Sequence, residues 1–386
     1  MTPQSFRAKH LCLDQKMVYL ASCSLAARTH SLNQAIATML DDMSTKALGW
    51  HAFESYVVQA RALFSQLIGA DEKQIALLPN ASVGAYQVAS TMSWDNRDGI
   101  IFSLNEFPSI AHVWNAQKAR GAACHGLQVA DSQGEIYRSY GETISHRTKL
   151  VSIPYTSYLD GRLMPVKAVT GVAHEAGAKV FVDAYQAIGV EPVDVIALDC
   201  DYLVAGSMKY MMGLPGLAFL YVKAGVNDDI LPQMTGWFGR KNPFEFDPLN
   251  VDYPPTATRY ETGTVSVPAV YSATAGIRLL LEVGVEQIKS QVEGLVTYAA
   301  ERLKQTQQLA HIPVRGEHGA IVAIRVDDVA GLEAFLTEHK VITSPRGSLL
   351  RLSFHYFNSR EDVDKACDLI EQFCGIGPTE VSTRGD

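Results

Sequence analysis

The stretch KVFVDAYQAIGVEPVDVIALDCDYLVAGSMKYMMGLPGLAFLYV, Lys179 to Val222, contains three short apolar runs separated by turns. KVFVDA, DYLVAG and LAFLYV are too short for ordinary helices and are bounded by Gly, Pro or Asp, so they read as buried strands. The first closes on Asp183. The second runs into a lone lysine, Lys209, set among small and apolar residues. Working outward, QIALLP (74–79), GIIFSL (99–104) and KLVSIPY (149–155) are runs of the same kind. Between them, SVGAYQVASTM (82–92), SIAHVWNAQKARG (109–121) and VKAVTGVAHEAG (166–177) carry helical spacing. Apolar strands alternating with amphipathic helices predict an α/β fold, a mostly parallel sheet covered on both faces.

After about residue 265 the texture changes. Residues 267–305 predict two long helices broken near Gly284. GAIVAIRV (319–326) and LLRLSFHY (349–356) predict strands, and residues 329–340 and 359–374 predict helices. The expected organisation is an N-terminal arm (1–20), a large α/β domain (21–268), a smaller α+β domain (269–375) and a disordered tail (376–386).

The chain has 386 residues, of which 47% are hydrophobic and 19% charged, with net charge −8. No basic block stands out, which argues against nucleic-acid binding. The six cysteines form no CxxC pair and the histidines form no HxxxH pair, so neither a metal site nor a disulfide framework is expected. The first twenty residues lack the pattern of a signal peptide, and no apolar run is long enough to span a membrane. A cytoplasmic protein with reduced thiols is expected.

In an open α/β sheet, ligands bind outside the carboxyl ends of the strands. Asp183 and Lys209 follow neighbouring strands, so one carboxylate and one amine meet at that edge; a structural ion pair is the alternative. Ser207 stands two residues before the lysine, Gln186 three after the aspartate, and Ser82 at a helix start after ALLPN. Ser82 is either a plain N-cap or part of a phosphate site at a helix N-terminus. A phosphate site, an aldehyde-reactive lysine and a lone carboxylate are together what pyridoxal phosphate requires. Burial would lower the lysine pKa and make its amine a base near neutral pH.

D-x-x-Q followed by S-x-K at this spacing resembles the class V aminotransferase family, which includes cysteine desulfurases, selenocysteine lyases, kynureninases and isopenicillin N epimerase-like enzymes. The likeness runs from YLASCSLAARTH (19–30) to RLSFHYFNSREDVDKA (351–366). It implies the fold type I architecture of pyridoxal-phosphate enzymes and a homodimer with composite sites. It implies that Lys209 holds the cofactor as a Schiff base, that Asp183 pairs with the pyridine nitrogen, and that Gln186 partners the phenolic oxygen. Ala81, Ser82 and Ser207 match phosphate ligands, Phe107 the residue stacked on the ring, and Ser157 a polar neighbour. Thr264 matches a residue reaching the neighbouring subunit's phosphate. Trp237 resembles a residue near the phosphate, with a core or interface aromatic as the alternative. Arg351 matches the arginine that forks onto the substrate carboxylate.

The chain departs from the family's named branches at specific positions. Desulfurases have a stacking histidine where Phe107 stands, and a cysteine shortly before the arginine. HKVITSPRGSLLRLS (339–353) has none, while Cys367 and Cys374 come later on a predicted helix. Gln186 and Met208 replace the histidine and tyrosine of kynureninases. These features predict a lyase that releases a β-group from a small amino acid without a persulfide cysteine. An aminotransferase and an epimerase are the alternatives. A cofactor-free scaffold is disfavoured by the intact Lys209, Asp183, Ser207 and Arg351, and a dinucleotide enzyme by the missing GxGxxG. His112, Tyr158, Arg162 and His355 are further polar candidates, each with a structural alternative. Arg346, in SPRGS, either contacts a second acidic group of the substrate or lies in an exposed turn.

Overall fold

The computed structural model describes every residue except 15, 46–48, 129–131, 227–229, 305–312 and 376–386. The expected tail lies outside the described residues. The described strands are β1 (Val18–Tyr19), β2 (Ile75–Leu78), β3 (Gly99–Ser103), β4 (Ala123–Leu127), β5 (Thr148–Pro154), β6 (Lys179–Asp183), β7 (Tyr202–Gly206), β8 (Ala218–Val222), β9 (Ile321–Arg325), β10 (Val341–Ile342), β11 (Ser344–Arg346) and β12 (Leu349–Ser353). Seven of them form one sheet in the order β2-β8-β7-β6-β5-β3-β4. Only β8 runs against the others.

The apolar runs are continuous because both faces of this sheet are buried. Val180 and Val182 on β6, with Leu203 and Ala205 on β7, enter one core. Phe181, Tyr202 and Val204, one residue out of phase, enter the core on the other face. The six strands expected from their apolar runs are all present. The seventh, β4, reads ACHGL and lies at the sheet edge, half to fully exposed. An edge strand carries no buried-strand pattern, so its sequence has little to reveal.

The second unit has a three-stranded antiparallel sheet, β11-β12-β9. The helices Val267–Val283 and Val285–Leu303 meet at Gly284, whose φ of 88° suits glycine. The expected boundary at 268/269 falls in the first turn of Val267–Val283, which packs against His30–Thr45 and Trp50–Ile68. The N-terminal arm docks on the second unit. Arg7 makes a 2.9 Å ion pair with Asp362, and β1 pairs in parallel with β10. Among the described residues, no helix is long and apolar enough to cross a membrane.

One close approach bears directly on the lysine-bearing turn. A Cβ at Gly276, in Val267–Val283, would overlap the Met211 carbonyl oxygen, two residues beyond Lys209. Gly276→Ala should therefore destabilise the protein by about 1–3 kcal/mol, the usual cost of overpacking. Gly294, on the next helix, has nothing within 4 Å of its added Cβ. Gly294→Ala should be neutral or stabilising by up to about 1 kcal/mol. Thermal unfolding of the two variants side by side checks this; equal behaviour would show that the contact is not tight.

Candidate active site

A cavity of about 290 Å³ opens where the strands of the large sheet end. Each strand end supplies part of its wall. After β2 come Asn80, Ala81 and Ser82; after β3, Asn105 and Phe107; at the end of β5, Pro154 and Thr156. β6 contributes Asp183, followed by Tyr185 and Gln186, and β7 leads into Met208 and Lys209. The reversed strand β8 contributes its entry, Pro215 to Leu217. Arg346 and Arg351 close the cavity from the small sheet, and Cys23 and Ser24 from the N-terminal segment.

Lys209 is 8% exposed, and burial lowers its amine from 10.5 to about 8. Its Nζ lies 4.4 Å from the centre of the Tyr185 ring and 5.5 Å from that of Phe107. Tyr185 can lie there because residue 206 is glycine: a Cβ at Gly206 would come within 2.1 Å of the tyrosine's Cζ and phenol oxygen. Asp183 is buried and accepts a 2.9 Å hydrogen bond from the Tyr185 amide. Burial pushes its carboxyl up, while that amide and the Lys209 charge pull it back.

The Ala81–Ser90 helix is capped by Asn80, whose side chain accepts from Val83 N. Ser82 is thus not the cap, and it lines the cavity beside Ala81 on the first helical turn. Gln186 donates from Nε2 to Cys23 O at 3.1 Å, and its buried Oε1 has no partner among the described residues. Arg351, 1% exposed, donates from Nε to Ser344 O (3.1 Å), from Nη2 to Ser344 Oγ (2.7 Å) and from Nη1 to Tyr158 O (2.6 Å).

Four expected site residues do not line this cavity. Ser207 Oγ donates to Leu214 O at 2.7 Å, so its one proton braces the glycine turn. Ser157 is fully buried in the 157–162 turn, where its amide donates to Arg162 O. Its neighbour Thr156 takes the wall instead, with a buried and unpartnered Oγ1; successive side chains point opposite ways where a strand ends. Trp237 packs among Trp50, Phe238, Phe244 and Phe246. Thr264 is exposed and lines a separate groove with Trp50, Val58 and Phe244.

Of the other polar candidates, Tyr158 and Arg346 line the cavity. Arg162 is paired with Asp160 at 2.9 Å, and His112 is exposed in another depression. His355 is buried, accepts from Tyr356 N at Nδ1 and lies 3.0 Å from Tyr210 O through Nε2. Sequence reasoning missed Cys23, Thr156 and Tyr185. It also missed Glu106, a buried carboxyl that accepts from Ser152 Oγ and is pushed well up by burial and by Asp183. Tyr185 lies inside the D-x-x-Q motif and could have been noticed there. Cys23 lies inside YLASCSLAARTH, but that stretch does not assign it to the site, which it reaches only through tertiary packing.

The aminotransferase class-V family model matches residues 19–366. The chain belongs to the aminotransferase class-V family. Among the relatives of this class-V chain, the uncharacterized aminotransferase YcbU of Bacillus subtilis is 32% identical over 374 residues, covering 95% of this chain and 97% of that protein. A cysteine desulfurase of Haloferax volcanii is 28% identical over 292 residues, 71% of this chain and 67% of its own. A solved C-DES mutant with glycine covalently linked to its pyridoxal-phosphate cofactor superposes with a TM-score of 0.86 at 18% identity, covering 94% of this chain and 97% of the other. The architecture is that of fold type I. Pyridoxal 5'-phosphate is the cofactor of this class-V enzyme.

The cavity suits that group on its own evidence. Lys209 combines a lowered pKa with aromatic rings over its amine, as a Schiff-base lysine needs. Asp183 is a buried carboxyl to which a protonated ring nitrogen would offer a counter-charge. The orphaned Gln186 Oε1 and Thr156 Oγ1 await polar partners. The first amides of the Ala81–Ser90 helix have no intrahelical acceptor and suit a phosphate.

His355 provides a pH test of the scaffold. Burial lowers its pKa from 6.5 to about 4. As pH falls, the unfolded chain takes up this proton first, so the stability from a neutral His355 is complete above about 6.5 and declines towards about 4. The loss should reach about 3 kcal/mol, at about 1.4 kcal/mol per pKa unit. Urea unfolding of wild type and His355→Gln at pH 7 and 4.5 measures it. An equal slope in both proteins would show that the histidine does not carry this dependence.

Proposed function

We propose that the protein is a pyridoxal-phosphate lyase that binds a small amino acid and releases a group from its β-carbon. The observation that carries the reading is one cavity that takes Lys209 and Asp183 from the large sheet and Arg351 from the small one. In this reading Lys209 and Asp183 are the catalytic residues and Arg351 holds the substrate carboxylate. Ser82 and the Ala81 amide take the cofactor phosphate, Phe107 covers the ring and Gln186 serves its phenolic oxygen.

When bound, the cofactor supplies an electron sink for the pair left on the substrate α-carbon. An ionised Asp183 would keep a proton on the ring nitrogen; burial works against that ionisation, and the Tyr185 amide and a cationic partner would offset it. Arg351 still has one free N–H on each Nη, because its three hydrogen bonds use one donor at each nitrogen. That fork suits a carboxylate and limits the bound amino acid's rotation. A free Lys209 Nζ could accept the α-proton, since a value of about 8 leaves part of it unprotonated near neutral pH.

Loss of a group from the β-carbon is supported by the desulfurase relative, whose named activity removes sulfur from cysteine. A persulfide carried by this chain is disfavoured. Cys367 is buried in the last helix. Cys23 lies in the wall but is 1% exposed, with its amide bound by Ser353 and its carbonyl by Gln186, so it cannot swing as a mobile sulfur carrier must. An aminotransferase is the second reading, supported by the name of the 32% identical relative.

A homodimer completes the proposal. Trp50, Val58, Phe244 and Phe246 are exposed apolar residues around Trp237 and Thr264. Such a patch suits a second copy, to whose phosphate Thr264 would reach. Sedimentation should show twice the chain mass, and Phe244→Asp should shift it towards the monomer; a monomeric wild type overturns this part.

For the reaction, an amino-acid panel with product detection decides. A keto acid without an amino acceptor supports elimination, and a keto acid formed only with one supports transamination. Lys209→Ala should leave no adduct after borohydride and lower turnover by at least about 10³-fold. An adduct at the wild-type level would overturn the lysine's assignment.

A further inference from the structure

Two guanidiniums face one cavity, and one is enough for an α-carboxylate. Lys209, Arg346 and Arg351 line the cavity, against the single carboxylate of Asp183. In the reading above Asp183 faces the ring nitrogen, Lys209 carries the cofactor, and the cofactor phosphate sits at the start of the Ala81–Ser90 helix rather than at the small sheet. Arg351 is matched by one substrate carboxylate. Arg346 is left over.

Its position follows from strand register. In the β11–β12 hairpin, Ser344 lies opposite Arg351 and Arg346 opposite Leu349. Residues 344 and 346 share a face, and so do 349 and 351. Arg346 and Arg351 are therefore diagonal neighbours on one face, roughly 7–8 Å apart at the backbone. The two guanidiniums differ in kind. Arg351 is buried and fixed by Ser344 and Tyr158. Arg346 is exposed at the cavity wall, and among the described residues no ion pair or hydrogen bond is recorded for it. Both charges act on the Tyr158 phenol and on the Lys209 amine, which places Arg346 at the same site as Arg351.

We propose that the substrate is an amino acid with a second anionic group on its side chain, its α-carboxylate on Arg351 and its side-chain anion on Arg346. This rests on the reading of the cavity as an amino-acid site. The class includes L-aspartate and the sulfinic acid of cysteine, whose anionic group is itself a β-substituent; L-glutamate, one methylene longer, probes the reach of Arg346 as a ligand. A fixed guanidinium sets the α-carboxylate, whereas an exposed one adapts to the length of the side chain.

The test is a titration of the holoenzyme followed by cofactor absorbance, with L-aspartate, L-glutamate, cysteine sulfinate and L-alanine, so that no turnover is required. Wild type should bind at least one of the acidic ligands more tightly than L-alanine. Arg346→Gln should weaken that acidic ligand by about 10–100-fold, the range for loss of a charged hydrogen bond, and L-alanine by less than about 2-fold. Arg346→Lys should recover part of the loss. Cofactor affinity, measured separately, should not change.

Equal weakening of acidic and neutral ligands, no weakening, or loss of cofactor affinity in Arg346→Gln would each overturn the proposal. If wild type responds to L-alanine but to no acidic ligand more strongly, this inference fails while the amino-acid site stands. If no amino acid perturbs the spectrum, the amino-acid reading fails and takes this inference with it.

Discussion

Lys209 and Asp183 are buried together at the ends of adjacent parallel strands, β7 and β6. Burial disfavours charge on both, which lowers the amine and raises the carboxyl. Each then has reason to take a partner that water does not supply. That shared burial shapes much of the surrounding structure. Tyr185 lies across the amine because Gly206 leaves room for its ring, and the turn after Lys209 lies against Gly276. Ser207 gives its proton to that same turn rather than to the cavity.

The third wall comes from far along the chain. Arg351 stands on β12, and Ser353, two residues on, donates from Oγ to Leu20 O and accepts from the Cys23 amide. The small sheet and the N-terminal segment are thereby joined at the cavity. Arg7 and β1 reinforce the junction by docking on Asp362 and β10. A substrate bound to Arg351 would touch the small unit, while Lys209 and Asp183 belong to the large sheet.

Much of this was legible in the sequence. The six apolar runs were strands because a sheet covered on both faces writes its burial as continuous apolar residues. The helical break at Gly284 followed from local backbone chemistry. The edge strand β4 was silent because half of it faces solvent, and Trp50–Ile68 received no element although it packs against Val267–Val283. In the cavity, Asp183, Gln186, Lys209, Ser82 and Arg351 were legible through motif spacing. Thr156 and Ser157 were exchanged because a one-residue step at a strand end turns the side chain over. Cys23, inside YLASCSLAARTH, and Glu106, next to Phe107 and just behind the wall, were not legible: their roles depend on Ser353, Gln186, Ser152 and Asp183, all distant in sequence.

The sequence by itself determined the α/β class, the family likeness and the lysine–carboxylate pair, because these depend on local periodicity and on short spacings around strand ends. Tertiary structure decided which hydroxyls meet the cavity, since that depends on turn geometry and on competing backbone acceptors. It also decided where Arg346 lies. From the sequence, an exposed turn and a substrate contact were equal alternatives. The β11–β12 register places its side chain on the same face as Arg351, at the wall of the same cavity. Only strand pairing could bring those two charges together.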